Sequence, residues 1–203
     1  MKRLFLTSLF IDVPNILQNY LQKNLTGKSL TFIPTASIPE KSKTYVRKAR
    51  EAFEKMGLIV DDLEITTSTK EEISKKLQQN DFIYVAGGNT FFLLQELKKK
   101  NADQLIIEQI NLGKLYIGES AGSMILSPNI EYVMDMDDCK IAKDLTDFSA
   151  LNVINFYPVP HQGNYPFVDA VEKIISKYNS KLNLCVINNS QVILIEGENQ
   201  KII

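Results

Sequence analysis

The sequence predicts an α/β protein: a three-layer α/β/α sandwich built on a mostly parallel sheet. Two observations carry this. Short apolar, strand-like runs alternate with amphipathic, helix-like segments along most of the chain, and repeated strand–helix units imply a parallel sheet covered on both faces. The segments that look chemically active, after Ala86, after Ile117 and after Tyr157, all follow strand-like runs. Ligands of such folds bind beyond the carboxyl ends of the strands.

The elements follow in order. Lys2–Ser8 reads as a first strand. Asp12 is placed to cap a helix with Pro14 in its first turn, running to about Asn24. Ser29–Pro34 is a β-rich run. Pro39–Met56 reads as a long helix, with Tyr45, Ala49, Ala52, Phe53 and Met56 on one face. Gly57 stops it, and Leu58–Val60 begins a strand. Thr69 and Glu72 fit a capping box ahead of a helix over Glu71–Gln79. Asp81–Ala86 is a compact apolar strand, followed by Gly87-Gly88-Asn89-Thr90 and a helix through Lys99. A further helix covers Ala102–Asn111. Lys114–Ile117 is a strand, and a helix starts near Ser120. Residues 127–150 are irregular, with a short strand expected around Ile130–Met134. Asn152–Tyr157 reads as a strand and Pro166–Tyr178 as a helix. The last segments, Leu182–Ile187, Gln191–Glu196 and Lys201–Ile203, read as hairpins turning at Asn188-Asn189 and at Gly197-Glu198-Asn199. No repeat, low-complexity stretch or linker interrupts the 203 residues, which predicts one domain.

Charge is balanced, with Lys+Arg 23 against Asp+Glu 24 and a net charge of -1. This argues against a nucleic-acid partner, whose footprint is a basic face. The basic run from Lys41 to Arg50 is diluted by Glu40, Glu51 and Glu54 and reads as a solvated helix face. No apolar stretch is long enough to cross a bilayer, so no membrane partner is expected. The apolar start is broken by Thr7 and Ser8 and lacks a small-residue cleavage site, so a strand explains it better than a signal peptide. Cys139 and Cys185 match no metal or redox spacing. A reducing, cytoplasmic setting follows, with neither a metal nor an organic cofactor implied.

The most informative motif is Gly118-Glu119-Ser120-Ala121-Gly122, a G-x-S-x-G pattern directly after Leu115-Tyr116-Ile117. It has the form of a nucleophile elbow, where a strand turns sharply into a helix and exposes a serine. The amide after the serine, that of Ala121, is then free to bind an oxyanion. A serine nucleophile needs a base that is neutral near pH 7. The chain holds one histidine, His161, in Tyr157-Pro158-Val159-Pro160-His161. Between them lie Asp135, Asp137 and Asp138, any of which is of the right type to orient the imidazole. The order Ser…Asp…His is also that of the α/β-hydrolases. Gly87-Gly88 offers a second oxyanion donor, because glycine lets the backbone approach a substrate closely. Asn89 and Thr90, next in line, are candidate substrate contacts. The same segment resembles a phosphate loop, yet neither G-x-G-x-x-G nor a P-loop pattern is present.

Taken together, Ala86-Gly87-Gly88-Asn89-Thr90, Gly118–Ser123, Asp135-Met136 and Pro160-His161 resemble the aspartyl dipeptidase (dipeptidase E) family of serine peptidases, which is related to cyanophycinase. Phe32-Ile33-Pro34-Thr35-Ala36 is also similar to that family, and the likeness covers most of the chain. The resemblance implies a flavodoxin-like fold akin to class I glutamine amidotransferases. It implies Ser120 as nucleophile, His161 as base and Asp135, fifteen residues after the serine, as third member. It assigns the oxyanion hole to the amides of Gly88 and Ala121. The chain departs from the family at Glu119, where the family has an aromatic residue, and at Met124, where it has asparagine. Glu119 either bonds locally at the elbow or binds a substrate ammonium. A carboxylate there makes an aspartate side chain on the substrate less welcome. The expected activity is hydrolysis of short peptides through an acyl-enzyme. An esterase or amidase on the same scaffold, or a non-catalytic binding protein, are the alternatives.

Overall fold

The chain runs β1 (Arg3–Thr7), α1 (Pro14–Leu21), β2 (Ser29–Ile33), α2 (Thr44–Lys55), β3 (Ile59–Asp62), α3 (Lys70–Gln79), β4 (Phe82–Val85), α4 (Thr90–Lys100), α5 (Ala102–Asn111), β5 (Leu115–Glu119), α6 (Ala121–Met124), β6 (Tyr157–Val159), α7 (Val168–Tyr178), β7 (Leu184–Val186), β8 (Val192–Glu196) and β9 (Asn199–Ile202). The computed structural model describes residues 1–21 and 25–203. The expected end of the first helix, near Asn24, lies outside the described residues.

Seven strands form one sheet in the order β3-β2-β4-β5-β1-β8-β9. The first five in that order are parallel, and β8 and β9 are antiparallel. Strands β1, β2, β4 and β5 are buried almost throughout, as central parallel strands with helices on both faces must be. One face is an aromatic cluster: Phe10 stacks on Phe53 at 4.1 Å, and Tyr84 meets Phe53 at 4.9 Å and Phe32 at 4.8 Å. The other is aliphatic and takes in Leu4, Leu6, Ile83, Val85, Leu94, Leu97 and Ile106.

Several local expectations hold. Thr69 caps α3 by accepting the Glu72 amide at 3.2 Å. Asn89 caps α4 by accepting the Phe92 amide at 2.8 Å. Gly57 ends the α2 segment with φ +89°. The hairpin at the end of the chain forms between β8 and β9.

Others do not. Helix α2 starts at Thr44, not Pro39. Residues 130–134 form a 3-10 turn over Glu131–Asp135 in which the adjacent Tyr132 and Val133 are both buried. A strand would have put them on opposite faces. The strand expected over Asn152–Tyr157 is only Tyr157–Val159, and it stays outside the main sheet. Pro158 sits in its centre and lacks an N–H for a second neighbour. It pairs instead with β7, in parallel, as a two-stranded sheet. That pairing removes the hairpin expected at Asn188-Asn189, since β7 leaves the main sheet and does not fold back on β8.

Candidate active site

The switch in chain direction falls between β2 and β4. A crevice opens beyond the carboxyl ends of such strands. The segments after β4 and β5, which carry Gly87-Gly88 and Ser120, meet there.

Ser120 joins β5 to α6 with φ +47° and ψ -105°, a backbone state that costs a non-glycine residue about 1–3 kcal/mol. The surroundings hold it there. The Ser120 amide donates to the Thr7 carbonyl at 2.9 Å. The Ser123 hydroxyl donates to Gly118 O at 2.8 Å and lies 3.0 Å from Thr7 O. Two glycines make the turn sterically feasible. A Cβ on Gly118 would meet Gly122 O at 2.5 Å, and one on Gly122 would meet Val85 O at 2.1 Å.

Ser120 Oγ lies 3.0 Å from Nε2 of His161, and Nδ1 of His161 lies 2.9 Å from Oδ1 of Asn189. An amide oxygen only accepts, so this contact puts the proton on Nδ1 and leaves Nε2 free to accept from the serine hydroxyl. His161 has φ +68°. Its amide donates to the Ser8 hydroxyl at 3.0 Å, and Ser8 Oγ donates to Asn188 O at 3.0 Å. Its ring stacks on Phe167 at 4.4 Å. Burial pushes the imidazole pKa below its ordinary value, opposed by the Asn189 contact.

The expected partnership of Asp135 with His161 is not formed. Asp135 is exposed and lies 3.6 Å from Lys177 Nζ. The physical reason is the turn at Glu131–Asp135, which buries Tyr132 and Val133 and turns the next side chains outward. Asp138 caps its own loop by accepting the Lys140 amide. Asp137 does reach the crevice, but through another contact: Oδ2 accepts both the amide and the hydroxyl of Thr90, at 2.8 and 2.6 Å. Burial raises its pKa to about 6, against the lowering by the two Thr90 bonds, and Glu40 adds to the rise.

Gly88 has φ +135°, and a Cβ there would meet Ala36 O at 2.1 Å. Its amide donates to no backbone acceptor among the described residues. The Ala121 amide opens α6, where helical geometry leaves N–H groups without partners. Asn89 and Thr90, expected to touch substrate, are buried and turned inward. Asn89 donates to Asp138 O at 3.0 Å besides capping α4.

Glu119 is 1 % exposed, on the aromatic face beneath Ser120. Tyr84 donates its hydroxyl to Oε2, while Oε1 has no hydrogen-bond partner among the described residues. Burial raises the Glu119 pKa to about 7, against the lowering by Tyr84 and the Phe10 amide.

These groups border a cleft of about 340 Å³ lined by Ser8, Leu9, Glu40, Tyr45, Gly87, Gly88, Glu119, Ser120, Met136, Asp137, His161, Tyr165, Pro166, Phe167 and Asn189. Among the described residues no group of three or more His, Cys, Asp or Glu could hold a metal ion, and no helix is long and apolar enough to cross a membrane. Sequence reasoning missed Asn189, Ser8 and Phe167. The pair Asn188-Asn189 was visible, but as a turn signal. Nothing local marks Ser8 or Phe167.

The chain is similar to several known peptidases. A peptidase of Listeria monocytogenes, itself uncharacterized, is 50% identical over 198 residues, covering 98% of this chain and 96% of that one. An uncharacterized peptidase of Pasteurella multocida is 51% identical over 198 residues, covering 98% and 95%. Peptidase E of Shewanella denitrificans is 36% identical over 139 residues, which is 68% of this chain and 55% of that protein. The crystal structure of a putative peptidase E protein from Listeria monocytogenes superposes with a TM-score of 0.95 at 49% identity, covering 100% of this chain and 98% of the other. The family model for peptidase family S51 matches residues 6–203. The chain therefore belongs to peptidase family S51, a family of serine peptidases.

Proposed function

We propose that this protein is a cytoplasmic serine peptidase that hydrolyses short peptides, in the manner of a dipeptidase or aminopeptidase. The observation that carries the reading is one chain of contacts: Asn189 Oδ1 at 2.9 Å from His161 Nδ1, and His161 Nε2 at 3.0 Å from Ser120 Oγ at a strained elbow.

In this reading Ser120 Oγ attacks the scissile carbonyl carbon while His161 Nε2 takes the hydroxyl proton. The carbonyl π electrons move to oxygen, and the Gly88 and Ala121 amides stabilise that oxyanion. One such donor is typically worth about 3 kcal/mol in the transition state. The intermediate collapses, the C–N bond breaks, and the imidazolium returns its proton to the departing amine. Water then gives a proton to His161 and attacks the acyl-enzyme carbon. Collapse releases the acid and restores the Ser120 hydroxyl. Asn189 holds the imidazole in the tautomer that leaves Nε2 basic, a part that asparagine also plays in Cys-His-Asn proteases. No metal or organic cofactor enters these steps.

The test is labelling by a fluorophosphonate probe, together with turnover of a dipeptide panel set against p-nitrophenyl esters. Labelling of the native protein but not of Ser120→Ala, with peptide cleavage, is expected. Turnover of esters alone overturns the peptidase reading. Absence of labelling in folded protein overturns the catalytic one.

A further inference from the structure

The cleft around Ser120 carries three carboxyl groups, Glu40, Glu119 and Asp137, and no lysine or arginine among its lining residues. Each has capacity left for a ligand. Glu40 is exposed; its amide donates to Ser37 O, and its carboxylate makes no ion pair or hydrogen bond among the described residues. Asp137 gives Oδ2 to Thr90 and keeps Oδ1 open. Glu119 is nine-tenths buried and more, lines the cleft, and keeps Oε1 without a hydrogen-bond partner among the described residues. A buried acceptor without a donor is expensive, and in a cleft it points to a donor that arrives with the ligand. Leu9, Met136 and Phe167 supply an apolar wall beside these acids. A cleft that combines acids with an apolar wall matches a long side chain with an aliphatic stem and a charged tip.

We propose that the cleft selects peptides in which the residue supplying the scissile carbonyl has a cationic side chain, lysine or arginine, with Glu40 and Asp137 as its specificity residues and Glu119 at the floor. The proposal rests on the serine peptidase reading above. It takes the chain away from aspartate at that position, since no lysine or arginine stands among the described lining residues to meet a substrate carboxylate, and two carboxylates brought together there would repel.

The test is kcat/KM for a set of dipeptides Xaa-Leu with Lys, Arg, Leu and Asp at the first position. Lys and Arg are expected to exceed Leu by about tenfold or more and Asp by about 10²-fold or more, as one or two partly desolvated charge pairs would give. Glu40→Gln and Asp137→Asn are each expected to lower the Lys-to-Leu ratio by about tenfold. Glu40 is exposed, so its variant guards against a folding defect in Asp137→Asn, and fluorophosphonate labelling checks both. Equal turnover of all four dipeptides, or a ratio that neither variant changes, overturns the inference while leaving the peptidase reading intact. Failure to cleave any peptide, with Ser120 unlabelled, overturns both.

Discussion

Oδ1 of Asn189 lies 2.9 Å from Nδ1 of His161, where the family resemblance had put a carboxylate. An amide orients the ring as a carboxylate would, but brings no charge to stabilise the imidazolium. Asn189 is itself held, because its amide donates to Asn164 Oδ1 at 3.1 Å. Asn189→Ala is therefore expected to lower kcat by about 10²-fold, the usual penalty for a misplaced catalytic group, with little change in KM. Asp135→Asn is expected to stay within about twofold, because its carboxylate faces Lys177. Steady-state kinetics of the two variants decide the matter. A severe loss in Asp135→Asn with a near-normal Asn189→Ala would reverse the assignment.

The contrast shows what the chain makes legible. The elbow is visible because its chemistry is local: Gly118, Ser120 and Gly122 must be adjacent for the turn to exist. The alternating strand–helix order is visible for the same reason, since periodicity is a short-range property. Asn189 is not, because its meaning depends on β7 pairing with β6 and carrying residues 187–189 beside His161. An Asn-Asn pair between two apolar runs is also a good turn signal, and the local reading won. Asp135 failed for a related reason. Spacing from Ser120 cannot show that a 3-10 turn points the carboxylate away from the imidazole.

The acid limb of kcat/KM should report His161. The reaction needs the neutral ring. Burial favours that neutral form and lowers its pKa below 6.5, so the limb is expected to have its midpoint below pH 6.5. In Asn189→Asp a carboxylate stabilises the imidazolium and raises the pKa, which moves the midpoint to higher pH. A limb that stays in place in Asn189→Asp would mean that His161 does not set it.

Glu119 makes the fold pH-sensitive. Its carboxyl rises from 4.5 to about 7 in the folded chain because it is buried, with only Tyr84 and the Phe10 amide opposing the rise. The protonated form is thus favoured by folding. Its contribution is fully present below the unfolded pKa and is lost as pH climbs through the folded one. The difference amounts to about 3 kcal/mol. Glu119→Gln keeps an acceptor for Tyr84 and removes the buried charge. Its melting temperature is expected to exceed that of the parent at pH 8.5 by about 5–10 °C, and to differ little at pH 4. Parallel melting curves against pH for the two proteins would show that folding leaves the Glu119 pKa where it is in the unfolded chain.

The elbow glycines are a packing requirement. A methyl on Gly122 would lie 2.1 Å from the carbonyl oxygen of Val85, which belongs to a central strand and has nowhere to move. Gly122→Ala is expected to destabilise the fold by about 3 kcal/mol, the upper range for overpacking a core. Chemical denaturation with an unchanged m-value measures it. Stability equal to the parent would mean that α6 can slide away from β4.

Ser8 links the nucleophile's sheet to the base. It follows β1, accepts the His161 amide and donates to Asn188 O, so one hydroxyl ties His161 to the loop that carries Asn189. Removing it leaves a buried amide without an acceptor, which costs about 1–3 kcal/mol. It also frees a backbone held at φ +68° to relax toward negative φ. Ser8→Ala is expected to lower the melting temperature by about 2–10 °C and kcat by about tenfold or more. Ser8→Thr keeps the hydroxyl and should recover most of kcat if the added methyl fits. Loss of stability in Ser8→Ala with kcat unchanged would assign Ser8 to the core alone, because a purely structural hydroxyl has no path to the turnover rate of the molecules that remain folded.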